Sequence, residues 1–296
     1  MTAESILAKL VSFPVLGGQS NLSIINYIKD YIESFNIVTT LVSNKQGNKA
    51  SLHCRIGPAI DGGVILSGHT DVVPVKGQEW STNPFELIDK GDGKLYGRGS
   101  CDMKGFIACC LASLPDMVQA DLKKPVYFAF SYDEEIGCLA GHELARSIKI
   151  HYRETPKYAI IGEPSLMQPI VGQKGIYILE TYVNGSAGHS SRIKEEVSAI
   201  HEAMRLMLWL EEKMNRLIEE GRIDNRFHPA HSSIHIGLVN GGIAPNVIAD
   251  KAHFFWDLRT IPMDRTETIL EEFETFCRQR EQELKSKFEH FKIKTV

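Results

Sequence analysis

Apolar positions along the chain follow two rhythms, and the switch between them divides it. Near the start, Ile24, Ile25, Ile28, Ile32 and Phe35 recur at three- and four-residue spacing, one stripe of a helix over 21–35. Residues 2–12 share that rhythm, with a loop at Pro14–Gly18 between the two. Short apolar runs follow, reading as strands at 38–41 and 50–56 around a turn at Asn44–Asn48. The run 63–67 is apolar almost throughout, as expected of a strand buried on both faces. A loop then extends to Gly99, with Gly91-Asp92-Gly93 as a hairpin signal. Beyond it the pattern predicts a helix at 104–114, a strand at 125–132, a helix at 141–148 and a strand at 158–162. Strands alternating with helices predict an α/β domain with a mainly parallel sheet.

Past Gly175 the order changes. Strands at 176–183, 232–238 and 252–258 are joined by long charge-rich helices at 195–220 and 266–288, with another strand from 292. That order predicts an α+β sandwich. The expected domains are therefore 1–174 and 175–296, the second inserted into the first. An open parallel sheet is normally finished by further elements, so the C-terminal remainder of the first domain is expected to be absent.

Composition narrows the function classes. With 43% hydrophobic and 24% charged residues, the chain reads as an ordinary soluble globular protein. A formal net charge of −4 gives no electrostatic case for nucleic acid or an anionic membrane. No run approaches the roughly 20 apolar residues that span a bilayer, and Met1–Ser5 lacks the basic flank of a signal peptide. Six cysteines without CxxC spacing make a reduced cytoplasm the default.

Candidate chemistry sits where strand-like runs end. His69 and Asp71 follow the 63–67 run, two residues apart and able to face one way. A metal-binding imidazole whose other nitrogen is held by the Asp71 carboxylate is one reading; a hydrogen-bonded surface pair is the other. Asp102 follows Gly97-Arg-Gly-Ser-Cys101 at the opening of a helix, where it can cap the helix, bind metal, or do both. A dinucleotide loop fails there, because Asp102 occupies the place of the third glycine. Glu134 and Glu135 follow the run 126–130, so one can ligate a metal while its neighbour takes a proton; a polar turn is the plain alternative. Glu163 follows Ile160-Ile-Gly162. Imidazole and carboxylates without a thiolate are what a hydrolytic zinc site needs. In the second domain, His189 lies in a small-residue loop, Asn246 ends Gly241-Gly-Ile-Ala-Pro-Asn246, and Arg259 can clamp a carboxylate.

Ser67-Gly-His-Thr-Asp71-Val-Val-Pro, Leu95-Tyr-Gly-Arg-Gly-Ser-Cys-Asp-Met-Lys-Gly105, Ser131-Tyr-Asp-Glu-Glu-Ile-Gly-Cys138 and Ile161-Gly-Glu-Pro-Ser165 resemble the M20 family of zinc aminoacyl hydrolases, most closely its acetylornithine deacetylase branch. The resemblance implies Zn2+, one or two per chain, with Co2+ as a substitute. It places His69, Asp102 and Glu163 on one ion, with Asp102 bridging to a second ion held by Glu135. It makes Glu134 the general base, Asp71 the residue orienting His69, and His189 an oxyanion donor from a partner's domain. Asn246 and Arg259 would contact the substrate carboxylate. The implied activity removes the acetyl group of N2-acetyl-L-ornithine in arginine biosynthesis. Desuccinylase, aminoacylase or dipeptidase activity, or an inactive metal-binding fragment, are the alternatives. The implied partners are a small N-acylated amino acid and a second copy of the chain, joined through a dimerisation and lid domain. Two departures stand out. Family members continue past the last residue here and supply a histidine to the second metal, and Gln173-Lys-Gly175 stands where the deacetylases commonly read His-Lys-Gly.

Overall fold

The computed structural model describes residues 1–296, which divide into two compact units, Met1–Pro169 and Ile170–Val296. Unit 1 contains, in chain order, α1 (Ala3–Val11), α2 (Leu22–Glu33), β1 (Thr39–Ser43), β2 (Ala50–Ile56), β3 (Val64–His69) and the hairpin β4 (Ile88–Asp89) and β5 (Leu95–Tyr96). It continues with α3 (Lys104–Gln119), β6 (Val126–Ser131), α4 (Gly141–His151) and β7 (Tyr158–Ile161).

Five of these strands form one sheet in the order β1-β2-β6-β3-β7. β3 runs parallel to both β6 and β7, while β2 is antiparallel to β1 and to β6. Only β2 therefore opposes the common direction, and the sheet is mainly parallel, as the alternating pattern predicts. Successive side chains of β6 reach opposite faces. Phe128 and Phe130 pack with α1, α2 and α3, and Ala129 packs with Leu144 and Ile148 of α4. α2 lacks a side-chain cap, a loss of about 1 kcal/mol. Its four fully buried isoleucines contribute roughly 1.5–3 kcal/mol each, so packing and not capping holds it. Asn21, at the cap position, instead donates to the Ala50 carbonyl (2.8 Å) and Thr70 Oγ1 (3.2 Å) and accepts from the Ala50 amide (2.9 Å). That triple contact fixes the entry of α2 to β2 and to the end of β3.

Several boundaries differ from the sequence expectation. α3 continues five residues past Leu114, through Pro115. The proline forgoes one helical hydrogen bond, but Leu111, Leu114 and Met117 around it pack into the core. The first four residues of β3 are half-buried, because its neighbour β7 is an exposed edge strand.

Unit 2 contains β8 (Gly175–Asn184), β9 (Gly188–His189), a 3-10 turn (Ser190–Arg192), α5 (Ala199–Glu219), β10 (Ser233–Gly241) and β11 (Val247–Ile248). β12 (Lys251–Thr260), α6 (Thr266–Leu284) and β13 (Lys292–Thr295) complete it. Its main sheet has the order β10-β12-β8-β13 and is antiparallel throughout. Both helices cover one face, burying Leu206, Leu210, Phe254, Trp256 and Phe273. α5 begins at Ala199 and not at 195, since the Ser198 hydroxyl accepts from the His201 amide and sets the first turn. α6 stops at Leu284, short of the expected 288. No helix is long and apolar enough to cross a membrane.

Candidate metal centre

The parallel pairing of β3 with β6 and β7 decides what meets at the sheet's carboxyl edge. His69 at the end of β3 lies in register with Ser131 at the end of β6, and Ser67 with Ile161 at the end of β7. Glu134 and Glu135 therefore emerge beside His69 from one side, and Glu163 from the other. Such edges are where open α/β sheets carry their sites. Asp102 arrives from the turn before α3. The helix cap position falls on Met103, which makes no side-chain cap, so Asp102 is not the cap residue; its carboxylate faces His69 instead. The Asp102–Met103 peptide is cis.

All the carboxylates converge on one ring. His69 is 1% exposed, and its Nε2 lies 3.0 Å from Asp102 Oδ1, 3.7 Å from Glu134 Oε2 and 3.8 Å from Glu163 Oε1. Its Nδ1 donates to the main-chain carbonyl of Asp71 at 2.9 Å, which turns Nε2 toward the acids. The expected hold by the Asp71 carboxylate is thus replaced by a backbone bond, with the carboxylate 3.7 Å from Nδ1. The Asp71 oxygens instead accept from the Glu134 and Glu135 amides at 3.2 Å each, which orients the carboxylate toward that loop. Asp71 therefore ties the end of β3 to the loop that carries both glutamates. Glu134 Oε1 also accepts from the Cys138 thiol at 3.3 Å, a contact that sequence reasoning missed.

Electrostatics show what the cluster favours. Burial pulls the His69 imidazole down, but Asp71, Asp102 and Glu134 outweigh it and hold the ring above its ordinary range. Burial raises Glu135, and Asp102 raises it further. Glu163 is likewise raised, first by burial and then by Asp102 and Glu134, against the pull of His69. Crowded carboxylates of this kind favour a cation. Two donor triads meet the geometric need, His69–Asp102–Glu135 and His69–Glu134–Glu163, each with its ligand atoms within 4.8 Å of one another. The expected grouping of His69, Asp102 and Glu163 is divided between these triads, which share the imidazole. A nitrogen and oxygen set without thiolate suits zinc or a related divalent ion.

Unit 2 brings two of its three candidates together. β9 pairs with β11, Val247 opposite His189, and the Ser190 amide donates to the Asn246 carbonyl at 3.0 Å. His189 Nδ1 shares a hydrogen bond with Ser191 Oγ at 2.9 Å. Arg259 stands near the far end of β12 from this corner, and its Nε donates to Asp257 at 3.1 Å. At 52% exposure that pair is worth under about 1 kcal/mol, so the guanidinium can exchange it for another carboxylate.

Comparison with known proteins bears on the same residues. Residues 65–281 match the family described as Peptidase family M20/M25/M40. An acetylornithine deacetylase of Aliivibrio fischeri (strain MJ11) is 32% identical over 244 residues, covering 82% of this chain. The chain spans 62% of that relative's length. In fold, it is similar to an M20 family metallo-carboxypeptidase of Sulfolobus solfataricus, with TM-score 0.74 at 17% identity over 100% of this chain and 78% of that one. It is also similar to a Bacillus subtilis protein described as a dinuclear metal binding peptidase of the M20 family, with TM-score 0.58 at 18% identity over 99% and 72%.

Proposed function

The chain belongs to peptidase family M20/M25/M40, and from that premise we propose that it hydrolyses a linear amide with a divalent metal at the His69 cluster. One observation carries this reading: four carboxylates from three loops converge on a single buried imidazole at the sheet's carboxyl edge. His69, Asp102, Glu135 and Glu163 are the proposed ligands, for zinc, one or two ions per chain. A divalent ion held by these residues would supply a water acidic enough to ionise near neutral pH and would polarise the scissile carbonyl. Glu134 takes the water's proton and passes it to the leaving nitrogen. Asp71 acts through the backbone, fixing His69 by its carbonyl and the Glu134–Glu135 amides by its carboxylate. His189 is the proposed donor to the developing oxyanion. Asn246 and Arg259 are the proposed contacts of the substrate carboxylate. Residues 170–296 are the proposed dimerisation and lid unit of a homodimer.

The favoured substrate is N2-acetyl-L-ornithine, giving ornithine and acetate, with support from the Aliivibrio relative. A peptide substrate is the second reading, favoured by the peptidase named among the fold neighbours. The test is hydrolysis by the zinc-loaded chain of a panel of N-acetyl amino acids, N-succinyl diamino acids and dipeptides, beside Glu134→Gln. Acetylornithine should turn over fastest. The variant should lose about 10²–10⁴-fold in kcat while keeping the wild-type zinc content. Dipeptide cleavage without deacetylation would move the reading to a peptidase. An equally active variant would remove Glu134 as the base.

A further inference from the structure

The residue before the proposed base is anchored more firmly than a loop position requires. Asp133 is 4% exposed and has a left-handed backbone, φ +55°, which a non-glycine residue adopts at a cost of roughly 1 kcal/mol. One of its carboxylate oxygens accepts from the Gly18 amide at 2.9 Å. The other meets the Lys49 ammonium at 2.5 Å, and Lys49 is itself 8% exposed. The partners come from distant places: Gly18 from the loop between α1 and α2, and Lys49 from the turn leading into β2. The Asp133 carbonyl also accepts from the Leu139 amide at 3.1 Å, closing the loop behind the two glutamates.

Stability alone is a poor account of this pair. A buried ion pair is rarely more stable than apolar residues of the same size, although removing one partner costs about 3–5 kcal/mol. What an ion pair does supply is direction. Glu134 and Glu135 are consecutive yet are proposed to do different things, and the rotation of their loop sets which donor group each carboxylate joins. Asp71 holds their two amides, while Lys49 and Gly18 hold the side chain of the residue immediately before them.

We propose that Lys49 and Asp133 are positioning residues, a buried clamp that fixes the rotation of the Glu134–Glu135 loop and so keeps Glu134 free as base and Glu135 directed at the metal. The inference rests on the metal-hydrolase reading. Its test therefore includes a readout that does not depend on turnover.

The full chain would be compared with Lys49→Met, Asp133→Asn, the double variant and Lys49→Arg, with Arg55→Met as a control. Arg55 forms a similarly short ion pair with Glu154, far along β2 from the cluster. Zinc affinity would be measured by competition with a chelator, kcat and KM on the best substrate of the panel, and Tm by thermal melting. Both single variants should lose about 100-fold in kcat with KM within twofold, and bind zinc about tenfold more weakly. Lys49→Arg should recover most of both. The double variant decides between direction and stability, since it should regain Tm without regaining kcat or zinc affinity. Recovery of all three in the double variant would overturn the clamp and leave an ordinary structural pair. So would single variants that melt early, as Arg55→Met should, yet keep wild-type kcat and zinc affinity. Should the wild type hydrolyse nothing on the panel, the functional reading fails, and the zinc measurements alone decide the clamp.

Discussion

His53 carries no catalytic assignment, yet burial beside α4 sets its titration. It is fully buried on β2, with Tyr152 Oη 3.1 Å from one ring nitrogen and Ser147 Oγ 3.0 Å from the other. Burial first, and then neighbouring His151, pull its pKa to about 4. In the unfolded chain the ring titrates near 6.5, so between pH 6.5 and 4 the unfolded state binds a proton that the folded state refuses. The contribution is therefore intact above pH 6.5 and is lost as pH falls toward 4, by up to about 3 kcal/mol. His53→Gln keeps polar atoms for Tyr152 and Ser147 but cannot titrate. Denaturant melts at pH 7, 5.5 and 4.5 should show a flatter pH dependence in that variant, and parallel slopes would refute the assignment. Sequence reasoning could not single out His53, because its burial depends on α4 crossing β2, ninety residues away in the chain. Lys49 was hidden for the same reason, since it falls between the expected turn at Asn44–Asn48 and the expected strand at 50–56 and its partner Asp133 lies far along the chain. His69, Asp102, Glu134, Glu135 and Glu163 were legible because each follows an apolar run or a glycine turn. The local H-x-D spacing nonetheless misled on which Asp71 atom holds His69.

At the scale of elements, the site depends on how closely the end of β7 approaches α3. A Cβ built on Gly162 would fall 2.0 Å from Phe106 Cγ, so only glycine lets the strand lie flush on the first turn of that helix. The Gly162 amide also donates to the Ser67 carbonyl at 3.0 Å, extending the β3–β7 ladder to the residue before Glu163. Gly162→Ala must move either the strand or the ring. It should cost about 1–3 kcal/mol and weaken zinc binding by displacing Glu163. Phe106→Ala in the same chain should restore zinc affinity while lowering Tm through the cavity it leaves. Calorimetry of zinc binding to the single and double variants checks both, and undiminished affinity in Gly162→Ala would show that the Phe106 ring gives way and the strand carrying Glu163 does not. Element types were legible in the sequence, the two long helices of unit 2 from their three- and four-residue rhythm and β6 from a short apolar run. Element ends were less so, since Pro115 is overridden by core packing and α5 waits for its Ser198 cap.

At the scale of the molecule, the change of rhythm near Gly175 corresponds to a change in how the core is closed. Unit 2 needs no parallel pairing to complete its main sheet, because β8 pairs antiparallel with β12 over ten consecutive positions and with β13 over four. Its buried apolar residues gather on the single face under α5 and α6, where Trp256 meets the Phe273 ring at 5.3 Å and donates to Thr181 Oγ1 at 3.0 Å. Every donor of the candidate metal centre, by contrast, lies within Met1–Pro169. The two properties should therefore separate. Residues 170–296 expressed alone should give a far-ultraviolet spectrum of mixed helix and strand, one cooperative thermal transition and no zinc above background. Trp256→Leu should lower that transition, since it removes a buried ring together with its hydrogen bond to Thr181. A fragment that stays unfolded would mean that the core under α5 and α6 requires residues outside the unit. Stoichiometric zinc in a folded fragment would place a binding site within unit 2 and remove the ground for assigning the metal to the His69 cluster alone.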